Sequence, residues 1–183
     1  MRESSDFRGG AIMESRAKLF GHAIHPILIV FPLGLLGTAV VFDIIYLIWG
    51  SGLMAQVSFW MMTAGIIGGL LAAPFGLIDW IAIPNGTRAK TIGAAHGITN
   101  VVVLLIFVGS WGMRSDLPER PEMFASILSF VGFLLALVGG WLGGELVERL
   151  GVGVVEGANL NAPNSLTVSG AEMQDASHRK QTA

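Results

Sequence analysis

The sequence has no cysteine, which excludes a disulfide framework and any thiolate metal site. It is also short of charge: Asp, Glu, Lys and Arg make up 13% of its 183 residues, about half the share of an ordinary soluble domain. The net charge of -2 comes with no basic patch, which argues against a nucleic-acid partner. The first apolar window lacks a small-residue cleavage site followed by a polar mature chain, so it does not read as a cleavable signal peptide. The first half of the apolar region does not read like the second, so inverted-repeat transporter logic gains little support.

What the sequence has instead is apolar residues, 52% of the total, with a mean hydropathy of +0.66. They cluster in four windows nearly free of charge, at about 26–49, 57–83, 92–113 and 124–147. Each has about 20 residues or more, enough at ~1.5 Å per residue to cross a hydrocarbon core of ~30 Å. A soluble helical bundle would need charged outer faces that these windows do not offer. The expected fold is therefore all-α: an integral membrane four-helix bundle, antiparallel and up-down-up-down. Residues 17–150 form the transmembrane domain, between a polar N-terminal tail at 1–16 and a polar C-terminal tail at 151–183.

Four spans put both termini and the middle loop on one side. That side carries Arg2, Arg8, Arg16, Lys18, Arg88, Lys90 and Arg149, whereas the other carries Arg114 and Arg120, offset by Asp116, Glu119 and Glu122. By the positive-inside rule the termini are cytoplasmic. The loops "GSGLMAQ" and "PNGTRAKT" are short, so successive helices are expected to be antiparallel neighbours. Pro32 and Pro74 fall inside spans and are expected to bend them. The small residues of the second span and Gly139, Gly140, Gly143 and Gly144 of the fourth allow close helix packing in lipid.

Ionisable residues inside a span are costly and so mark function. The chain has four histidines. His178, in "ASHRKQ", reads as a solvated tail residue. The other three gather at one end of the bundle: His22 and His25 enter the first span and His96 opens the third. Asp79, Asn100, Glu145 and Glu148 lie at the same end. His96 and Asn100, four apart, share a helix face, as do His22 and His25, three apart. Gly97 beside His96 leaves room for a large flat group to approach. Pro26 suits a first helical turn, so the helix is expected to start near His25.

Three uses of these residues compete. In the first, His25 and His96 are the axial ligands of one haem b, facing each other from spans that lie diagonally in the bundle. Phe31, Phe75, Trp80 and Trp141 would supply an apolar pocket, Arg88 or Lys90 would pair with the propionates, His22 would support the ligands or replace one of them, and Asp79, Arg88 and Asn100 would fix histidine tautomers or propionates. In the second, His22, His25, His96 and Asp79 or Glu145 hold a bare Zn, Fe or Cu ion, or relay protons. In the third, the histidines only cap helix ends and hydrogen-bond carbonyls, and Asp79 pairs with Arg88 across the turn. Asp43 lies 18 residues beyond His25, five helical turns at ~3.6 residues each, and so sits near the opposite membrane surface on the same inward face. Its expected partners there are Thr63, Ser110 or Trp111. With no histidine beside it, a second haem on that side is not expected.

The segments "GHAIHPILIVFPLGLL", "VFDIIYL", "FGLIDWIAIPNGTRAK", "AAHGITNVVV" and "GWLGGELVERLGVGV" resemble a bacterial family of predicted four-helix membrane proteins that carries a domain-of-unknown-function label. The resemblance covers about residues 17–168. It implies redox work, because some relatives look as though they are joined to Rieske iron–sulfur or cupredoxin domains. The layout is also similar to small di-histidine cytochromes b, such as the b561 type, without their second histidine pair.

The expected function is thus an electron carrier with one haem b near its cytoplasmic face, rather than an enzyme with its own substrate. Its partners would be the lipid bilayer and a redox protein or quinone. The rival is an accessory subunit of a larger membrane complex or homo-oligomer.

Overall fold

The computed structural model describes residues 12–166; Arg2, Arg8 and His178 lie outside the described residues. A two-strand hairpin comes first, β1 (Lys18–Leu19) and β2 (His22–Ala23), with Lys18 opposite Ala23 and Leu19 opposite His22. Its two-residue turn places both Phe20 (φ 50°) and Gly21 (φ 82°) in the left-handed region, the backbone twist that a tight hairpin requires. Five helices follow: α1 (Ile24–Leu28), α2 (Val30–Trp49), α3 (Gly52–Ala82), α4 (Arg88–Gly112) and α5 (Met123–Gly144), the last continuing into a π-helical turn, Glu145–Arg149. With α1 and α2 counted as one span, four helical segments are long and apolar enough to cross a membrane, Ile24–Trp49, Gly52–Ala82, Arg88–Gly112 and Met123–Arg149.

Local chemistry explains the breaks. Pro32 has no N–H to give the Leu28 carbonyl and its ring crowds that carbonyl. The helix is interrupted next to it, at Ile29 between α1 and α2. Pro74, by contrast, sits within an unbroken α3. Gly50 ends α2 in the left-handed conformation (φ 69°). In the Pro-Asn-Gly turn, Gly86 takes φ 79° and the Thr87 hydroxyl caps α4 by accepting from the Lys90 N–H at 3.1 Å.

The helices form a square. α2 packs along α3 and α4 along α5, while α3 against α4 and α2 against α5 close the ring. The first and third spans are therefore diagonal. The centre is a buried cluster of Leu36, Ala39, Val40, Met62, Ile66, Val103 and Phe107. Glycines set the separation of the helices: a Cβ on Gly69 would lie 2.6 Å from Leu104, and one on Gly132 would lie 2.9 Å from Phe107. Large apolar side chains such as Trp60, Leu70, Ile98, Leu105, Leu134 and Trp141 cover the outside and are more than half exposed, the surface of a bundle meant for lipid rather than water.

The polar ends depart from the expectation of plain tails. Met13 bridges to Val152, its N–H donating to the Gly151 carbonyl at 3.0 Å. Ser15 is 5% exposed, and the Ile24 N–H donates to the Ala17 carbonyl at 2.9 Å. Segments from both sides of the helical domain thus meet over the end of the bundle that carries the histidines. Glu14 is part of this cover: the Lys18 ammonium donates to its carboxylate, and the Glu156 N–H donates to it at 3.0 Å. The hydrogen bond from Lys18 is the main cause that holds the Glu14 carboxyl below the usual range, against the opposing effect of partial burial.

Candidate functional site

The break at Ile29 leaves α1 as a short separate helix with His25 as its second residue. Its ring turns toward α3, where Nδ1 donates to the Ala72 carbonyl at 3.0 Å. His96 lies two turns into α4 and turns toward α5, where its Nδ1 donates to the Gly139 carbonyl at 2.9 Å. A carbonyl can only accept, so in these bonds both Nδ1 atoms carry a proton, and in the neutral ring it is Nε2 that keeps the lone pair. The two ring centres are 6.3 Å apart and the ring planes stand at 86°. The structure thus brings these two sequence-predicted residues together across the bundle diagonal.

Asn100, one turn after His96, donates to the His96 carbonyl at 2.8 Å. The same amide nitrogen stands 3.3 Å from each ring nitrogen, which holds the imidazole against rotation.

The glycines that make room for the rings are not the one expected. Gly97 is exposed, and a Cβ added there meets nothing within 4 Å, so it faces away from the bundle and does not open the site. The room comes from α3 and α5. A Cβ on Gly76 would lie 2.8 Å from the His25 ring, one on Gly143 would lie 3.1 Å from the His96 ring, and one on Gly139 would lie 2.9 Å from Asn100. Gly76→Val is therefore expected to push His25 off the Ala72 carbonyl, at a cost of about 1–3 kcal/mol for an overpacked site. The imidazole 15N spectrum checks this: the Nδ1-protonated form of His25 gives way to a tautomer mixture, while His96 keeps its own.

The other candidates lie apart from this pair. His22 is exposed on β2 with its Nε2 3.1 Å from the Ser165 hydroxyl. Asp79 does not reach Arg88. It accepts instead from the Ser15 hydroxyl at 2.8 Å on both oxygens, and from the N–H groups of Arg16 at 2.8 Å and Ala17 at 3.4 Å. It therefore anchors the cover. Arg88 pairs with Glu145 at 2.6 Å. Trp80 is held at the α3–α4 corner, donating to the Lys90 carbonyl at 3.1 Å with the Lys90 ammonium 4.2 Å from its ring. Phe31 and Trp141 are 54% and 67% exposed and face outward, so they do not line a pocket around the histidines. Among the described residues, no group of three or more His, Asp or Glu side chains is placed to hold a metal ion. The carboxylates proposed for a bare-ion site are committed elsewhere.

The opposite end holds a polar cluster that the sequence reading missed in part. Asp43 is fully buried as expected, but its partner is Arg114, itself fully buried. The guanidinium grips the carboxylate with two bonds, at 2.6 and 2.8 Å, and the Ser129 hydroxyl adds a third at 2.6 Å. Ser58 stands 3.4 Å from the guanidinium. The expected partners are engaged elsewhere: the Trp111 indole donates to the Thr63 hydroxyl at 2.8 Å and the Ser110 hydroxyl to the Ala125 carbonyl at 2.6 Å. The sequence reading counts Arg114 among the charges of the far side of the membrane, because it follows the apolar window of the third span. Its chain turns back there, the Arg114 N–H donating to the Trp111 carbonyl at 3.1 Å, and the side chain enters the bundle. A signal was available: a carboxylate on the inward face of a span calls for a counter-charge at its own depth.

Four apolar helices, a lipid-type exterior and ionisable groups confined to the bundle interior and its ends define a multi-pass membrane protein. The chain belongs to the family described as predicted membrane protein, DUF2231, which matches residues 21–156. That stretch includes both interior histidines and the Asp43–Arg114 pair. No curated protein and no solved structure matches the chain.

Proposed function

We propose that the protein binds one haem b through His25 and His96 and carries electrons within the membrane. The observation that supports this best is the geometry of the pair. Both Nδ1 atoms are tied to backbone carbonyls, the usual way a protein orients a metal-binding imidazole and raises its basicity. The two rings come within 6.3 Å of each other, centre to centre, so His25 and His96 would be the residues to hold the iron between their helices.

The size of the donor set separates the metal readings. A zinc ion takes three or four protein ligands, whereas a haem iron takes at most two, the porphyrin supplying the rest. Two imidazoles with no third donor among the described residues fit the haem. When bound, the haem would supply a one-electron couple. The chain's part is to hold two neutral imidazoles in a low-dielectric interior, with Asn100 keeping the His96 ring in place. Arg88 is engaged with Glu145, so propionate pairing is not assigned to it. We place the protein in a bacterial inner membrane, as its resemblance to a bacterial family implies, with cytoplasmic termini on the strength of the Lys and Arg bias among its loops, and its partner as a redox protein or a quinone.

The test is a reduced-minus-oxidised spectrum of the full chain purified in mild detergent. Sharp haem b bands, lost in both His25→Ala and His96→Ala but kept in His22→Ala, are expected. A colourless protein that takes up one equivalent of zinc would move the site to a bare ion. A colourless, metal-free protein would overturn the proposal and leave the pair as a structural tie between diagonal helices.

A further inference from the structure

A cleft of about 340 Å³ opens on the outer side of α5 at the histidine end, lined by Trp141, Gly144, Glu145, Glu148 and Arg149. We propose that it is a headgroup site for an aminophospholipid of the phosphatidylethanolamine type.

The place is a membrane–water boundary by construction. The apolar run of α5 ends at Gly144, and the next residue is the first charge of the segment, Glu145. Trp141, 67% exposed, stands one turn before it, where an amphipathic indole settles between acyl chains and headgroups. Residues 141, 144, 145 and 148 are spaced to share one helix face. The helix then widens: the Leu150 N–H donates to the Glu145 carbonyl five residues back, at 3.2 Å. Such π-turns are frequent at functional sites. Below the cleft the surface is open, since a Cβ on Gly140 or Gly144 would meet nothing within 4 Å. That leaves a shallow track for an acyl chain.

The charges select the headgroup. Arg88 already neutralises Glu145 at 2.6 Å. Glu148 and Arg149 are both exposed, leaving one carboxylate and one guanidinium to meet the ligand. The four groups sum to zero, so the cleft offers no net pull to an anionic lipid. It matches a zwitterion whose phosphate takes the forked donors of Arg149 and whose primary ammonium gives N–H bonds to Glu148. Phosphatidylglycerol has no cation for Glu148. Phosphatidylcholine has a cation but no N–H.

The experiment is native mass spectrometry of the full chain in mild detergent with equal amounts of phosphatidylethanolamine, phosphatidylglycerol and phosphatidylcholine. Retention of phosphatidylethanolamine is expected to exceed that of each of the others by about fivefold or more. The preference is expected to vanish in Glu148→Gln and in Arg149→Gln and to persist in Arg120→Gln at the other end. Both sites of change are exposed, and circular dichroism checks that helicity is kept. Equal retention of the three lipids, or an unchanged preference in the two variants, overturns the proposal. Displacement by soluble glycerophosphoethanolamine as effective as by the lipid would show headgroup binding without a membrane source, and would overturn it as well. None of these readouts depends on haem.

Discussion

Arg114→Met is expected to destabilise the bundle by about 3–5 kcal/mol, the cost of leaving one partner of a buried ion pair alone. Arg114 is fully buried and supplies two of the three short bonds to the Asp43 carboxylate. Without it, Asp43 must stay charged against a single serine or take up a proton, and either costs free energy. Asp43→Leu strands the guanidinium in the same way. The double variant, Asp43→Leu with Arg114→Met, removes both charges and is expected to recover most of the loss, because the intact pair itself contributes little net stability. Thermal unfolding of the detergent-solubilised protein, followed by circular dichroism, reads all three. If the double variant is as damaged as the sum of the singles, the coupling is wrong. The pair draws on residues from α2, from the turn after α4 and, through Ser129, from α5. We therefore read it as the bolt that sets the order of the helices at this end.

The second large effect is expected at the other end, from Asp79→Ala. Asp79 is the acceptor for one hydroxyl and two backbone N–H groups of residues 15–17, and Ser15 is 5% exposed beneath them. Hydrogen bonds to a charged group contribute about 1.5–3 kcal/mol each. Their joint loss is expected to raise local opening of this segment about 10- to 100-fold. Amide hydrogen exchange at Arg16 and Ala17 measures it. Asp79→Asn, which keeps one carbonyl-type oxygen, should fall between. Amides of the mid-helix core, near Phe107, should not change in either variant. Exchange at Arg16 and Ala17 that is already as fast as in a free peptide, or is untouched by Asp79→Ala, would remove Asp79 from this role.

Much of the architecture was legible because membrane-spanning segments are set by length and local composition. The four apolar windows correspond to the four spans of the structure with ends shifted by a few residues. The largest shifts are at the N-terminal ends of the second and third spans, where Gly52–Gln56 and Arg88–Thr91 extend the helices beyond the apolar windows. Topology then follows from short loops, and with it the meeting of the first and third spans across a diagonal. The gathering of His22, His25 and His96 at one end needed only the order of the spans. The two-strand hairpin and the cover formed by residues 12–23 and 150–158 were not anticipated. The bonds that close the cover join distant positions, such as Met13 with Val152 and Ser15 with Asp79, which no local pattern reports.

By itself, then, the sequence determined the number of spans, their order and the end of the bundle at which His22, His25, His96 and Asp43 lie, since each of these depends on hydropathy and counting along one chain. Only the tertiary structure decided how each helix is rotated about its own axis. In a soluble bundle a polar face would reveal that rotation. Here the lipid-facing and bundle-facing sides are equally apolar, so Gly97 and Gly76 look alike in the sequence, yet one faces away from the bundle and the other cradles His25. The same blindness hid the partners of Asp43 and Asp79. A charge inside a membrane must be answered by another group, but which group answers is a matter of where the rotated helices and returning loops bring their side chains.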